Sequence, residues 1–333
     1  MDAGTALSES PWAGRGWTLA ERYLASRILI FGDGQIFFNC RTHLLSEASQ
    51  LSQNPLWQFP DSSNLIDQAG DNPSVDRSAW YTLIQYYTLA STLTSRFDVL
   101  PAVASLAAAL TGGDRYFAGI WNNDRCVSLL WRSRGRYTCS NEYAAPTWSW
   151  GSMKGPVAFS VSGNKHHPRN EDVEFVEIEV KVVLGQDACT VSSQETLKGG
   201  DIDKQYGWVK AGHIRLTALA CAIHGGLEPG GCRCHFDYDD EENWKNSAVE
   251  VVVALFSQWE TFASGNLRWH GLLLQRVPES GADTYKRVGV YVGPMKKLPR
   301  PGAATRHPAG NIRLGDEWMY RLNKGLQLSR PRL

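Results

Sequence analysis

Cys232, Cys234 and His235, with His224 eight positions ahead of Cys232, form the densest set of metal-ligand side chains in the chain. Thiolate and imidazole are the groups zinc prefers. The single residue between the two cysteines is a tighter spacing than the usual two to four, no second pair follows, and Gly225-Gly226 and Gly230-Gly231 lie close by. The spacing fits a glycine-rich turn with incidental thiols better than a metal centre, so neither a metal nor a cofactor is expected. Five carboxylates between Asp237 and Glu242 could attract Ca²⁺. They lack the positions and the glycine of an EF-hand and read as a solvated acidic loop. No Gly-x-Ser-x-Gly elbow, His-Glu-x-x-His pair or phosphate-loop glycine spacing occurs, and no catalytic residue can be nominated.

Two other constellations could bind rather than react. Arg15, Glu21 and Arg22 flank Trp17, and a buried arginine and glutamate held by that indole would suit bidentate recognition of a carboxylate or phosphate. The plainer reading is a charged cluster that caps and orients a short helix. Trp148 and Trp150, one residue apart, offer flat indole surfaces and one donor each, the lining of a pocket for a small apolar molecule. The plainer reading is that they share one face of an extended segment and seal the seam between the two lobes.

These residues must be positioned by elements that the sequence also signals. Thr18 and Glu21 have capping-box spacing, which predicts a helix from Trp17 to Leu24. Ile28 to Phe31 and Gln35 to Cys40, apolar and separated by Gly32-Asp33-Gly34, predict a β-hairpin. Residues 41 to 76 read as a long polar loop. Trp80, Leu83, Ile84 and Tyr87 recur at three and four and predict a helix, followed by a second from Val99 to Leu110 with Pro101 in its first turn. Tyr116 to Trp121 and Leu129 to Trp131 read as a third apolar helical segment. Beyond Pro156 the period becomes two: strands are expected at Val173 to Leu184, Gly212 to Ile223, Val249 to Ser257, His270 to Val277 and Tyr285 to Val292. A short helix is expected at Asp316 to Leu322. The resulting expectation is an α+β chain: a Trp-rich helical lobe with a β-hairpin over residues 1–155, then an antiparallel β-sandwich or barrel-like lobe over 156–333.

Composition narrows the class. The 333 residues carry 34 Lys and Arg against 34 Asp and Glu, so no net field recruits nucleic acid or an anionic membrane. No apolar run approaches the roughly 20 residues needed to cross a bilayer, and the first twelve residues lack a signal-peptide pattern. Seven scattered cysteines suggest free thiols. A cytoplasmic, globular protein is expected, with 43% apolar residues and 13 tryptophans to bury.

The run from Arg15 to Cys40 resembles the closing part of the fungal HET (heterokaryon incompatibility) domain, matching it at Arg15, Gly16, Trp17, Thr18, Glu21, Arg22, Leu24 and Arg27. It departs at Ala20, where the family has Gln. Further matches are Trp80, Tyr87, Leu93, Thr94, Asp98, Leu100-Pro101-Ala102 and Leu106-Ala107, then Tyr116 to Trp121, and Ala145-Pro146-Thr147-Trp148-Ser149-Trp150. Gly271 to Leu274 and Tyr285 to Val290 are similar to a tail that such proteins carry. A basic residue of the family is replaced by Ala90, and the opening half of the HET domain has no counterpart ahead of Arg15.

The resemblance implies a non-catalytic interaction or regulatory factor in nonself recognition and programmed cell death, with another HET-like protein as partner. The alternative it implies is an accessory enzyme of fungal small-molecule biosynthesis, a cyclase or isomerase using a Trp-lined cleft between the lobes. Either role leads to the expectation that distant tryptophans converge on the Arg15 to Cys40 corner.

Overall fold

The computed structural model describes residues 10–32, 34–40, 43–47, 50–51, 77–111, 113–135, 142–159, 173–184, 187–192, 205–223, 233–238, 251–260, 267–277, 284–294 and 312–314. The loop expected over 41–76 is instead stranded at 44–46 and 50–51, and its remainder from 52 to 76, most of the cysteine-rich turn and the helix at 316–322 lie outside the described residues.

Helix α1 (Thr18–Leu24) begins without the expected capping box: Trp17 occupies the N-cap and no side chain caps it. The backbone does that work instead. Gly16 N donates to Thr92 O at 2.9 Å and Thr92 N to Gly14 O at 2.6 Å, which pins the start of the helix to the segment after α2 (Ser78–Ala90). Gly16 permits this close approach, because a Cβ there would lie 2.5 Å from Leu93 Cδ2.

The hairpin forms as expected from β1 (Arg27–Gly32) and β2 (Gln35–Cys40) and is extended by β3 (Leu44–Ser46) and β4 (Gln50–Leu51) in the order β1-β2-β3-β4.

Helix α2 buries Trp80, Leu83, Ile84 and Tyr87, the stripe its spacing predicts, and Tyr81 beside it, and α3 (Pro101–Ala109) has its proline at the first turn, where the missing amide costs nothing. Tyr116 to Trp121, expected as helix, is instead a minimal hairpin of β5 (Tyr116–Phe117) and β6 (Ile120–Trp121). Ala118 and Gly119 turn it with φ of 48° and 98°. Positive φ at both central residues matches the right-handed twist of the strands. Helix α4 (Arg125–Leu129) leads into β7 (Trp131–Ser133), which pairs with β8 (Val157–Phe159).

The five predicted strands appear as β9 (Val173–Leu184), β11 (Trp208–Ile223), β13 (Val251–Glu260), β14 (Leu267–Arg276) and β15 (Thr284–Pro294), joined by β10 (Asp187–Ser192), β12 (Arg233–Phe236) and β16 (Ile312–Leu314). Their order is β10-β9-β11-β13-β14-β15-β12. Strand β16 pairs antiparallel to β11 and parallel to β15, which brings those two strands within one strand's width of each other and curls the sheet. The lobe is one curled, mainly antiparallel sheet rather than two stacked ones, and the chain as a whole is α+β.

One apolar core runs across the position expected to divide the lobes: Trp80, Trp121, Trp131, Trp148 and Trp150 share it with Ile178, Val180, Ile214, Leu216 and Leu272. The indoles do converge, but on α2 and the Tyr116 to Trp121 hairpin. The Arg15 to Cys40 corner joins that core through Leu19, Ala20 and Tyr23 of α1, while Ile30 and Phe37 of its hairpin are buried apart from it.

Candidate functional site

The segment from Pro146 to Ser152 is the hub of the fold. Ser149 N donates to Pro146 O at 2.9 Å to close a turn, and the Ser149 hydroxyl donates to Ala118 O at 2.5 Å while accepting from Gly151 N at 3.1 Å. This buried serine fixes the directions of its two neighbours. Trp148 and Trp150 do not share one face. Trp148 points at the sheet, where a Cβ on Gly212 would come 3.0 Å from its ring, and Trp150 points at the β5–β6 turn, donating from Nε1 to Gly119 O at 3.2 Å. Tyr87 meets Trp150 edge-on with centroids 6.1 Å apart, and Trp131 Nε1 donates to Trp148 O at 3.0 Å. Both candidate tryptophans are therefore mortar between the helical layer and the sheet, each fully buried.

Beside them lies an aromatic box. Trp80, Tyr116 and Trp121 meet pairwise with centroids 5.1 to 5.9 Å apart, and Tyr206 lies 5.6 Å from Tyr116. Gln205 Oε1 accepts from Tyr116 N at 2.9 Å, tying the box to the chain just ahead of β11. Four of its buried polar atoms have no hydrogen-bond partner among the described residues: Trp80 Nε1, Trp121 Nε1, the Tyr116 hydroxyl and Gln205 Nε2. Burial pushes the Tyr116 hydroxyl well up from its ordinary pKa, so it stays protonated and can donate. Buried donors without acceptors are costly, and such atoms are where ordered water or a ligand bearing acceptors is held.

Two arginines brace this region by the same means. Arg77 lies over Trp121 with its guanidinium carbon 3.8 Å from the ring centroid, donates to Leu110 O and to Thr111 O (3.0 Å) at the end of α3, and pairs with Asp114 at 3.4 Å. Burial lowers the Arg77 pKa and raises that of Asp114, each resisted by the other's charge and, for Asp114, by amides of Asn123 and Arg115.

Arg287 lies over Trp131 at 3.4 Å and grips Asp237 in a two-bond fork of 3.0 and 3.1 Å. Its other donors reach Leu129 O and Trp131 O. Burial again pushes the carboxyl up and the guanidinium down, opposed by their mutual attraction. Asp237, expected in a solvated acidic loop, is in fact buried and paired. Aspartates and glutamates 239–242 lie outside the described residues.

The other candidates do not assemble. Arg15 and Glu21 are exposed, Trp17 keeps 42% of its surface in water, and Arg22 turns inward beneath Trp12 at 5.8 Å. The binding reading of this cluster needs a buried arginine and glutamate held by Trp17, whereas α1 presents Glu21 outward and Arg22 inward. Of the cysteine-histidine set, Cys234 and His235 stand in β12, His235 Nε2 is 3.4 Å from Arg132, and Cys232 and His224 lie outside the described residues. Cys126, on α4, is buried and its thiol pushed up to about 12 by that burial, which leaves it inert as a nucleophile.

Apolar side chains are exposed at several points of the chain, Leu89, Phe97 and Trp208 as well as the first hairpin. Leu29 and Phe31 are 59% and 76% exposed, directly across from Phe38 and Ile36. Strand β1 is an edge among the described strands. No helix among the described residues is long and apolar enough to cross a membrane. No protein-family model matches the chain, and no curated protein or solved structure matches it.

Proposed function

We propose that this chain is a HET-like factor of fungal nonself recognition and cell death that acts by binding another HET-like protein and not by catalysis. The observation that carries the reading is a division of labour among the aromatic residues. Those of the resemblance's inner motifs, Trp80, Tyr116, Trp121, Trp148 and Trp150, are committed to the core, whereas Leu29 and Phe31 stand exposed on β1, an edge among the described strands, and Trp17 is half-exposed. An apolar edge strand is a ready template for strand addition by a partner.

The test is overexpression in a fungal host of the natural chain and of the double variant Leu29→Asp, Phe31→Asp. Growth arrest with the former, at least tenfold relieved by the latter at equal protein level and melting temperature, supports the reading. Equal death, or no effect of the natural chain, removes it.

The unpartnered atoms of the aromatic box favour a second reading, a small acceptor-bearing apolar molecule held between helical layer and sheet. Native mass spectrometry of protein purified from its host then shows an adduct that Tyr116→Phe loses. Without a ligand, the same substitution removes a buried unpaired hydroxyl and leaves stability unchanged or raised by about 1 kcal/mol.

A further inference from the structure

On the sheet face turned away from Trp148, β9 and β11 carry a set of side chains that neither the core nor the aromatic box uses. Residues 177 and 179 are two apart on β9 and so project to the same side, and the register places His213 opposite Glu179 and Arg215 opposite Glu177. The alternate residues point the other way: Ile178, Val180 and Ile214 are in the core, and Gly212 lies under Trp148. Ligand atoms of Glu177, Glu179 and His213 lie within 4.8 Å of one another, with His213 Nε2 3.8 Å from Glu177 Oε2. Although they face outward, the side chains of Glu177 and His213 keep only 14% and 18% of their surface.

We propose that Glu177, Glu179 and His213 form a binding site for a divalent transition metal of the zinc type. Donors around a tetrahedral zinc ion stand about 3.3 Å apart when bonds are about 2.0–2.1 Å long. Rotation about the glutamate side chains closes the remaining ångström or so without moving backbone. Two carboxylates and a neutral imidazole balance a 2+ charge, and the nitrogen ligand favours zinc-like ions over Ca²⁺ or Mg²⁺, which take oxygen. Three protein ligands leave one position open to water. The site is rigid because its two strands are hydrogen-bonded neighbours whose reverse face is fixed in the core. Arg215, paired with Glu177, holds that carboxylate in the metal-free protein and competes for the ion's place.

The full chain, stripped with a chelator, is titrated with zinc chloride by calorimetry at neutral pH, and the bound ion is examined by X-ray absorption. One ion per chain with a shell of nitrogen and oxygen only, weakened at least thirtyfold by His213→Ala and by Glu179→Gln at unchanged melting temperature, supports the site. Arg215→Met is expected to tighten binding about fivefold, by freeing Glu177 and removing a like charge. No zinc bound, sulfur in its shell, or affinity indifferent to both ligand substitutions overturns it. The last outcomes would return the ion to the cysteines near 232–234 or to adventitious surface groups.

Discussion

Replacing Arg287 with methionine is expected to lower the free energy of unfolding by about 3–5 kcal/mol, read as a shift of the urea midpoint. The guanidinium has no exposed surface and Asp237 almost none. Four hydrogen bonds from this one side chain join β15 to Asp237 beyond β12 and to the carbonyls of Leu129 and Trp131 between α4 and β7. Methionine fills much of the volume but strands a carboxylate and two carbonyls in the core, and uncompensated buried charge is the dominant loss. The double variant Arg287→Met, Asp237→Leu removes the orphaned charge too and is expected to recover at least half of the loss. A double variant no better than the single one would assign the effect to the carbonyl contacts and to the stacking on Trp131 instead.

Gly119→Ala is the second large effect, about 2–4 kcal/mol by the same measurement. Two penalties coincide there. The residue's φ of 98° suits glycine alone, and a Cβ would lie 2.4 Å from Trp150 Nε1, an indole already locked by its bond to Gly119 O. Gly34→Ala separates the two contributions, since that glycine has a φ of 79° and nothing within 4 Å of its would-be Cβ. It is expected to cost about 1 kcal/mol, the backbone share alone. Equal losses at the two glycines would mean that Trp150 gives way freely and that the hub is softer than its burial suggests.

Legibility in the sequence followed the range of the interaction. Strand β9 was readable because Val176 to Val182 alternates with charge at period two, and α2 because its aromatic stripe recurs at three and four. Tyr116 to Trp121 misled because a short unbroken apolar run suits either a helix or a strand, and the deciding φ at Ala118 leaves no mark on composition. The short strands β10, β12 and β16 were missed because their partners, not their own patterns, define them.

The site was less legible still. Trp148 and Trp150 stood out by type, and their burial in a seam was one of the readings open to them, yet their opposite orientations depend on Ser149 reaching Ala118, 31 residues back. Arg287 and Asp237, 50 residues apart, gave no local signal beyond a lone arginine in an apolar strand. Glu177, Glu179 and His213 become neighbours only once β9 and β11 take a particular register, interrupted by irregularities on either side of the set.

The placement of β16 bears on how the chain reaches this state during synthesis. Its three residues dock against β11, begun about a hundred positions earlier, and against β15. A nascent polypeptide that has not yet delivered residues 312–314 therefore presents two unsatisfied strand borders at once, the condition under which growing chains stick to one another or call on holding chaperones. Late to leave the ribosome among the described strands, β16 acts as the clasp of the sheet.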